Sequence, residues 1–435
     1  MPQPSRRAGR WRAYFCRAGG QLARRRPLVR RLLSYRFTLL VLLGLLLSVA
    51  AERVPAGQLV LAPLLALTVP GWLALTAGVG LVWVLRARRI ALLPLAALVL
   101  AWPQVQRGLP LHLTVNNYQL SGSSQQAIII NQSLEINNQK PETTPPSTKH
   151  QAPSTNTSTT LRLLSANVRI FNVYAQLRKP DPAAPAKFMA WLAASPADVL
   201  CLQEFYNEPA GTKSADGDLF RVGEKLGSDI GRQVFISKSL TNSVGAEFGL
   251  AIFSRLPIVG RGEIAFGRLS QNHAMWVDVA GPGPHDTVRI FNAHLQSMSL
   301  DERDIVTAGS SQAGFKTKGR GLLGRFVRGA AARAWQADTL LARVSRSPYP
   351  VLLAGDLNDV PYSYAYNALA GPLQNAWATV GFGPGNTYHG RLPPLLRIDQ
   401  QFAGPRWQVL ACRIHDEIPY SDHFPVEGLY QLKAK

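Results

Sequence analysis

The stretch of residues 351–359, which reads VLLAGDLND, places the strongest constraint on the fold. Its apolar part has the length of a buried strand and stops at Gly355, which is followed by Asp356 and Asn358. Residues two apart on an extended chain point the same way, so the carboxylate and the amide face one point just beyond the strand. Such a pair suits a hard metal ion or a phosphate oxygen. The sequence Gly-Asp-x-Asn is also common in ordinary turns, so the two interpretations have to be distinguished by the other residues of the chain.

Other apolar segments after residue 160 also end in carboxylates, amides and histidines. A polar residue at a strand end usually just caps the sheet. A whole set drawn from these three side-chain types is much harder to explain as capping, and it favours a functional site. The further members of the set are Asn167, Glu204, His294, Asp399, Asp422 and His423.

These side-chain types suit metal-assisted attack on a phosphate ester. Mg²⁺ prefers oxygen ligands and takes only one or two protein carboxylates beside water and phosphate. Glu204 is the best candidate ligand, with Asn167 and a second carboxylate beside it. A bound cation offsets charge that develops on the phosphoryl oxygen. The attacking water needs a base or an orienting group, and a histidine paired with a carboxylate, here His423 with Asp399, meets that need. The sequence contains no nucleophile elbow, no glycine-rich phosphate loop and no Cys/His zinc spacing.

Most of the formal net charge of +21 lies near apolar segments in the first quarter of the chain. Eleven arginines precede Phe37 without any Asp or Glu, and a second arginine cluster occupies residues 86–89. The apolar segments favour a membrane anchor of two or three helices over a core helix hairpin. A signal peptide ending near residue 50 would leave the later segments unexplained. The uncharged segments are residues 37–51, 59–85 and 90–102.

Arginine placement predicts the topology of this anchor. The basic N-terminus and the cluster at residues 86–89 should both stay in the cytoplasm, which makes the first two segments a hairpin. The third segment covers about 20 Å of a bilayer core that is roughly 30 Å thick. It can therefore span the bilayer only if residues up to Leu113 extend it. We expect it to cross, which places the C-terminal domain on the extracytoplasmic side of a multi-pass cell-membrane protein. If it rests at the interface, that domain is cytoplasmic.

Composition divides the chain into four regions. Residues 114–160 are predicted to be a linker, because they are rich in Asn, Gln, Ser and Thr and cannot build a core. The last region has many predicted strands and few helices, which suggests two packed sheets flanked by helices. Within it, residues 298–328 are predicted to be a long basic loop, followed by a helix. The regions are a basic cytoplasmic N-terminus (1–36), a transmembrane region (37–113), the linker (114–160) and a catalytic domain (161–435).

Seven motifs follow one another in the last region: LSANVR (164–169), CLQE (201–204), IFSR (252–255), NAHL (292–295), GDLN (355–358), RID (397–399) and SDHFPV (421–426). In this order they resemble the endonuclease/exonuclease/phosphatase family, the deoxyribonuclease I-like superfamily, and most closely its bacterial members with N-terminal transmembrane helices. The resemblance covers about residues 161–435. It implies a four-layer α/β/β/α sandwich, preceded here by a transmembrane helical anchor. Gln400 and Gln401 depart from the apolar run usual after RID, so strand packing behind Asp399 is expected to differ.

The resemblance also implies which residues hold the metal and the phosphate. Glu204 would be the main ligand of Mg²⁺, or of Mn²⁺ in its place, with Asp422 close by. Asn167 would touch both the metal site and the scissile phosphate. His294 would bind a non-bridging phosphate oxygen, and Asn358 would assist there.

The remaining roles implied by the resemblance concern the attacking water. Asp356 would orient or deprotonate the water, helped by Asn358. His423 would stabilise the phosphoryl transition state while Asp399 orients it. The resemblance leaves open whether Asp356 or His423 is the base.

The expected function is that of a membrane-anchored, Mg²⁺-dependent, nuclease-like phosphoesterase. The basic stretch at residues 316–328 favours nucleic acid as the substrate, unless it faces solvent or the membrane. The anchor favours a lipid headgroup, as in a sphingomyelinase-like phosphodiesterase or a phosphoinositide-type phosphatase. A catalytically inactive binding module on the membrane is a third alternative, but every metal carboxylate is present. No obligate protein partner is inferred.

Overall fold

A computed structural model describes residues 35–111, 160–178, 181–212, 216–267, 272–281, 286–297, 312–389 and 396–433. The described residues form two compact units, one from residues 35–54 and 61–105, the other from residues 55–60 and 106 onward. Nearly all of the predicted N-terminal region and of the predicted linker lie outside the described residues.

The first unit consists of short apolar helices. Pro63 and Pro70 each lie in the first turn of a helix, where the missing N–H costs little, and the predicted segment 59–85 is divided between them at Thr68. The indole Nε1 of Trp83 donates to Thr38 Oγ1 at 3.0 Å. The helices are α1 (Tyr35–Ala51), α2 (Ala62–Leu67), α3 (Val69–Leu85), α4 (Leu92–Leu100), which a 3₁₀ turn (Arg89–Ala91) precedes, and α5 (Trp102–Gly108).

The length of these helices bears on the predicted anchor. Among the described residues, no single helix is both long and apolar enough to cross a bilayer. One pair, residues 89–100 and 102–108, meets the length and composition requirement together, although it is bent by 58°. The transmembrane anchor therefore stays a prediction.

The second unit contains twelve described strands. Short helices and one helix of 33 residues lie between some of these strands. In chain order the elements are β1 (Thr160–Asn167), α6 (Ala175–Arg178), α7 (Ala184–Ala194), β2 (Val199–Asn207), α8 (Val222–Lys225), β3 (Gln233–Thr241), β4 (Glu247–Ser254), β5 (Ile258–Ala265), β6 (His273–Val279), β7 (Val288–His294), α9 (Gln312–Val344), β8 (Val351–Asp356), α10 (Tyr364–Ala370), β9 (Gln374–Asn375), α11 (Ala376–Val380), β10 (Asp399–Ala403), β11 (Trp407–Ile414) and β12 (Val426–Leu432).

These strands form two six-stranded sheets. Sheet A has the order β11-β12-β1-β2-β4-β3, and sheet B has the order β5-β6-β7-β8-β10-β9. Neighbouring strands are antiparallel except for one pair in each sheet, β1 with β2 and β7 with β8. The two parallel pairs lie in the middle of their sheets, so their carboxyl ends can meet.

Three apolar clusters separate four layers. Because strand residues alternate between faces, Leu163 and Cys201 point to the space between the sheets, where they join Ile290 and Leu352 of sheet B. The opposite face of sheet A packs Leu200 and Leu202 against α7. The outer face of sheet B, including Phe291 and Leu353, packs against α9 and α10. The predicted α/β/β/α sandwich is confirmed.

One prediction about secondary structure is wrong. Residues 312–328 belong to α9 and not to a basic loop, while residues 298–311 lie outside the described part. The stretch has five cations and several glycines, which suggested a loop, but it contains no proline and continues into the amphipathic half of the helix. That half buries Ala330, Ala334, Ala337, Leu340 and Val344, so packing there supports the helix as a whole.

Candidate active site

The two parallel strand pairs bring the predicted site residues together at their carboxyl ends. In sheet B, His294 at the end of β7 pairs with Asp356 at the end of β8. Gly355 makes that pairing possible: it adopts a φ of 148°, and a Cβ on it would lie 1.9 Å from the carbonyl oxygen of Ala293. In sheet A, the last residue of β1, Asn167, lies beside Gln203 of β2.

A β-bulge directs Glu204 toward the site. The pairing of β2 with β4 shifts between Leu202 and Phe205, and Glu204 adopts a φ of 48° within this shift. Bulges of this kind re-aim a side chain at a functional edge. The Glu204 side chain is 38 % exposed, whereas those of Asn167 and Asp356 nearby are buried. It is therefore the predicted site carboxylate that solvent reaches most easily.

Asn167 joins the two sheets. Its Nδ2 atom donates to Glu204 Oε1 at 3.1 Å and to Asp356 Oδ2 at 3.0 Å. One amide thus bridges a carboxylate of sheet A and a carboxylate of sheet B. Because the amide donates to both carboxylates, it offsets part of the repulsion between them.

Asp356 is fully buried and held by the loop that follows it. The backbone N–H of Asn358 donates to Asp356 Oδ1 at 2.7 Å, with Asn358 at a φ of 52°. The Asn358 Nδ2 atom donates to the carbonyl of Leu295 at 3.0 Å and lies 3.3 Å from Asp356 Oδ2. These contacts occupy the amide nitrogen, so the geometry favours holding Asp356 over binding phosphate through that nitrogen.

Asp399 and His423 form a buried pair next to Asp356. Asp399 lies opposite Asp356 in the pairing of β10 with β8, and its Oδ2 atom is 2.9 Å from His423 Nδ1. The other ring nitrogen, Nε2, is 3.9 Å from Asp356 Oδ2. Burial by itself would lower the pKa of His423, but the charges of Asp399 and Asp356 and the hydrogen bond outweigh it and raise the pKa to about 10. His423 therefore carries a proton at neutral pH.

Burial has the opposite consequence for Asp356. Removal from water raises its pKa, and the nearby charge of Asp399 raises it further. His423, His294 and the hydrogen bond from the Asn358 N–H act in the other direction. A carboxylate with a raised pKa is a stronger proton acceptor once ionised.

His294 faces carboxylates of both sheets. Its Nε2 atom is 3.7 Å from Asp356 Oδ2 and 3.9 Å from Glu204 Oε1. This nitrogen is buried and makes no hydrogen bond to any described residue. A buried ring nitrogen of this kind is suited to an oxygen of a bound substrate or water.

Asp422 is held at the rim by two residues that the sequence did not single out. Arg169 Nε lies 3.2 Å from Asp422 Oδ2, and Ser421 Oγ lies 3.3 Å from Asp422 Oδ1. Ser421 Oγ also donates to the carbonyl of Asn167 at 2.8 Å. Ser421 Oγ also accepts from the backbone N–H of His423 at 3.2 Å. Both residues lie within recognised motifs, but their partners belong to other strands, which local sequence does not reveal.

A left-handed turn places Arg169 in this position. Residues 169–172 all have φ between 46° and 50°, and such backbone costs about 1–2 kcal/mol per residue outside glycine. The turn is fixed by buried Phe171, which packs against Phe188 and Phe205, and by Asn172 Nδ2, which donates to the carbonyl of Tyr420 at 2.8 Å. Such local strain is typical of functional sites.

The site residues offer two possible arrangements for a metal ion. Asp356, Asp399 and His423 form a group whose ligand atoms all lie within 4.8 Å of one another. Within this group His423 Nδ1 is already hydrogen-bonded to Asp399 Oδ2 at 2.9 Å, and the remaining ring nitrogen is a softer ligand than oxygen, although the buried Asp399 Oδ1 has no hydrogen-bond partner among the described residues. The predicted set of Glu204, Asn167 and Asp422 offers oxygen ligands and an accessible carboxylate, which fits a hard cation better. The Asn167 oxygen, Oδ1, accepts from the backbone N–H of Arg169 at 3.0 Å, so the two carboxylates are the readier ligands.

Buried amides join the sheets behind the site. Gln203 Nε2 donates to Asn292 Oδ1 at 2.7 Å, and Asn292 Nδ2 donates to the carbonyl of Leu202 at 2.9 Å. Gln401 Nε2 donates to the carbonyl of Val426 at 2.7 Å. Gln401, the second of the two glutamines that follow Asp399, therefore links sheet B to sheet A and leaves Asp399 in place.

Comparison with known families agrees with this geometry. Residues 164–423, more than half of the chain, match the sequence model of the endonuclease/exonuclease/phosphatase family. Residues 30–108 match a family described only as a domain of unknown function. No curated protein sequence matches the chain.

Several solved structures are similar to part of this chain. An endonuclease/exonuclease/phosphatase from Beutenbergia cavernae shares 21 % identity, covers 63 % of this chain and 72 % of its own, and has a TM-score of 0.44. The catalytic domain of human Nocturnin with bound sulfate shares 16 %, covers 63 % and 94 %, and has a TM-score of 0.45. TDP2 from D. rerio, complexed with a single-strand DNA product, shares 17 %, covers 62 % and 98 %, and has a TM-score of 0.42.

Proposed function

Because the chain belongs to the endonuclease/exonuclease/phosphatase family and is a phosphoric ester hydrolase, we propose that it hydrolyses a phosphodiester with the help of a divalent cation. Mg²⁺ is the proposed ion, and Mn²⁺ can take its place. Glu204, Asn167 and Asp422 would hold it. When bound, the cation offsets negative charge that develops on the phosphoryl group. A phosphomonoester substrate is the alternative.

The bridge made by Asn167 is the observation that carries this proposal. It ties the accessible carboxylate of sheet A to the buried carboxylate of sheet B. Two carboxylates of unlike environment suit two different tasks, cation binding for Glu204 and proton transfer for Asp356.

The charge state of His423 bears on the choice of base. A group that already holds a proton cannot accept one, and both ring nitrogens of His423 face carboxylates, Asp399 at 2.9 Å and Asp356 at 3.9 Å, whose charges raise the pKa of His423. We therefore assign proton acceptance to Asp356, whose pKa is raised by burial. His423 then donates from Nε2 toward the phosphoryl group, with Asp399 holding Nδ1. His294 Nε2 is proposed to bind a non-bridging phosphate oxygen.

Attachment to a membrane is also proposed. Most of the exposed large apolar side chains in the described part of the chain lie between residues 35 and 111. Surfaces this apolar are stable against lipid or a partner but not against water. The arginine-rich N-terminus and the cluster at residues 86–89 would stay in the cytoplasm, and the catalytic unit would lie outside. A reporter fused after Leu113 tests this placement, and a signal only in the cytoplasm would refute it.

Two phosphodiester classes remain as substrates. Nucleic acid is favoured by the first part of α9, since residues 312–328 carry five cations and no anion on a helical backbone. A lipid headgroup is favoured by the exposed apolar helices of the first unit. The two substrates place different demands on the enzyme, so a direct assay separates them.

The test is hydrolysis by the purified full-length protein in detergent. Plasmid DNA, RNA, sphingomyelin and phosphoinositides are assayed with Mg²⁺ and with EDTA. We expect cleavage of one class, abolished by EDTA and by Glu204→Ala. Glu263→Ala, which removes an exposed carboxylate from β5, is the matched control and should stay active. Equal activity of the Glu204 variant and wild type would refute the metal assignment.

A further inference from the structure

Helix α9 sends two buried polar side chains, Arg333 and Gln336, toward the loops of the site. Arg333 is completely buried and Gln336 is 3 % exposed. Positions three apart lie on the same face of a helix. A buried charge or amide destabilises the fold unless it is bonded, so the partners of these two residues indicate their role.

The loop that follows β7 is held from two sides. The N–H of Leu295 donates to the carbonyl of Asp356 at the end of β8 at 2.9 Å, and its carbonyl accepts from Asn358 Nδ2 in the loop after β8 at 3.0 Å. The backbone of Gln296 bonds to α9 instead. Its N–H donates to Gln336 Oε1 at 2.8 Å, and its carbonyl accepts from Arg333 Nη1 at 3.1 Å. The N–H and the carbonyl of both Leu295 and Gln296, the two residues after His294, are thus hydrogen-bonded.

Arg333 also holds the loop that follows β8. Its Nε atom donates to Asp359 Oδ2 at 2.8 Å, and Asp359 is itself buried. Asp359 directly follows Asn358, whose N–H holds Asp356. A single guanidinium therefore bonds to the loop behind His294 and to the loop behind Asp356.

We infer that Arg333 and Gln336 are positioning residues for hydrolysis. They set the place of the His294 ring relative to Asp356 by fixing the two loops against α9. The inference rests on the proposed function, because the His294 and Asp356 roles do. The planar guanidinium bonds through two of its nitrogens to different loops, which the single ammonium of a lysine cannot reproduce with the same geometry.

The experiment compares Arg333→Met with Leu340→Ala in the full-length protein. Leu340 is a buried residue of the same helix that packs in the core behind sheet B and does not bond to the loops. Misplacement of a reacting group by about 1 Å lowers the rate roughly 100-fold. We expect Arg333→Met to lose about that much in kcat per folded molecule, with KM changed less. Leu340→Ala should lose thermal stability with kcat within about twofold of wild type.

Two further variants complete the comparison. Arg333→Lys keeps the charge and should have an intermediate kcat. Gln336→Leu removes one neutral acceptor, so it keeps the inference testable if Arg333→Met does not fold, and it should lower kcat about tenfold, a smaller loss than for Arg333→Met. Equal kcat values for Gln336→Leu and Leu340→Ala would overturn the inference.

A readout that needs no turnover separates this inference from the proposed function. The ring resonance of His294 in histidine-labelled protein is assigned by its absence in His294→Gln. We expect it to shift in Arg333→Met or Gln336→Leu and to stay in place in Leu340→Ala. If wild type cleaves no substrate, the proposed function has failed while this shift still tests the positioning. An unmoved resonance in the folded variants would refute the positioning itself.

Discussion

The two sheets contribute carboxylates in very different environments to one site. Glu204 of sheet A is 38 % exposed, whereas the side chain of Asp356 in sheet B is 1 % exposed. An exposed carboxylate can exchange water for a cation at little cost. A buried carboxylate needs hydrogen bonds and opposite charge, which Asn167 and His423 supply. This difference supports the proposal that sheet A binds the cation and that sheet B accepts the proton.

Replacing Asp356 with Asn should have the largest effect. The change keeps the size of the side chain and removes the proposed proton acceptor. General-base catalysis contributes about 10²–10⁴-fold, and we expect a loss of kcat in that range that added Mg²⁺ does not restore. Steady-state kinetics measure it, with Asp338→Asn as the control because Asp338 lies on α9 and contacts Tyr364. Recovery at high Mg²⁺ would assign Asp356 to the cation instead.

Glu204→Gln should show the complementary behaviour. The amide is a weaker ligand for a hard cation, so more Mg²⁺ is needed to occupy the site. We expect the Mg²⁺ concentration for half-maximal activity to rise at least tenfold, with much of kcat regained at saturation. A Mg²⁺ titration of activity measures this. An unchanged midpoint would remove the distinction between the two sheets.

Asp399→Asn tests the charge state of His423 through pH dependence. In wild type the raised pKa keeps His423 protonated below about pH 10, so activity that needs the imidazolium falls only as pH rises through that value. Removing the charge of Asp399 should bring the decline to lower pH. The same proton stabilises the folded state fully below the usual pKa of 6.5, and this contribution is lost as pH rises through about 10. Profiles of kcat/KM against pH check the shift, and identical alkaline limbs would contradict it.

Gln401→Leu should have the smallest effect on chemistry and a clear one on stability. Gln401 Oε1 accepts from the hydroxyl of Tyr430 at 2.6 Å, and its Nε2 donates to Val426. Leucine leaves these buried groups without that partner, which costs about 1–3 kcal/mol. Thermal unfolding should show the loss, while kcat per folded molecule stays near wild type. Unchanged stability would mean that the amide bridge between the sheets contributes nothing.

The sequence was most informative at the ends of strands, where neighbouring residues mark the site. The glycine before Asp356 and the polar ends at Asn167 and His294 are local signals, and the structure brings all the predicted site residues together. Two packed sheets flanked by helices were expected from the many strands and few helices, and the four-layer order came from the family resemblance. The strand ends can be predicted because they depend on neighbouring residues and not on a distant partner.

Other features depend on contacts between distant parts of the chain. The bulge at Glu204 arises from pairing between β2 and β4, and Ser421 acquires its role from the carbonyl of Asn167. The first half of α9 was predicted to be a loop because it is rich in glycines and cations. It is helical because the second half of the same helix packs against the core. The left-handed turn at residues 169–172 contains no glycine, so the sequence gives no signal for its positive φ angles.

The position of a bound cation tests the division between the sheets most directly. Crystals of the full-length protein containing Mn²⁺ give an anomalous signal that locates the ion without reference to activity. We expect one peak in contact with the Glu204 carboxylate, and no such peak in Glu204→Gln at the same Mn²⁺ concentration. A peak enclosed by Asp356, Asp399 and His423 would contradict the assignment of the cation to sheet A and the proton to sheet B.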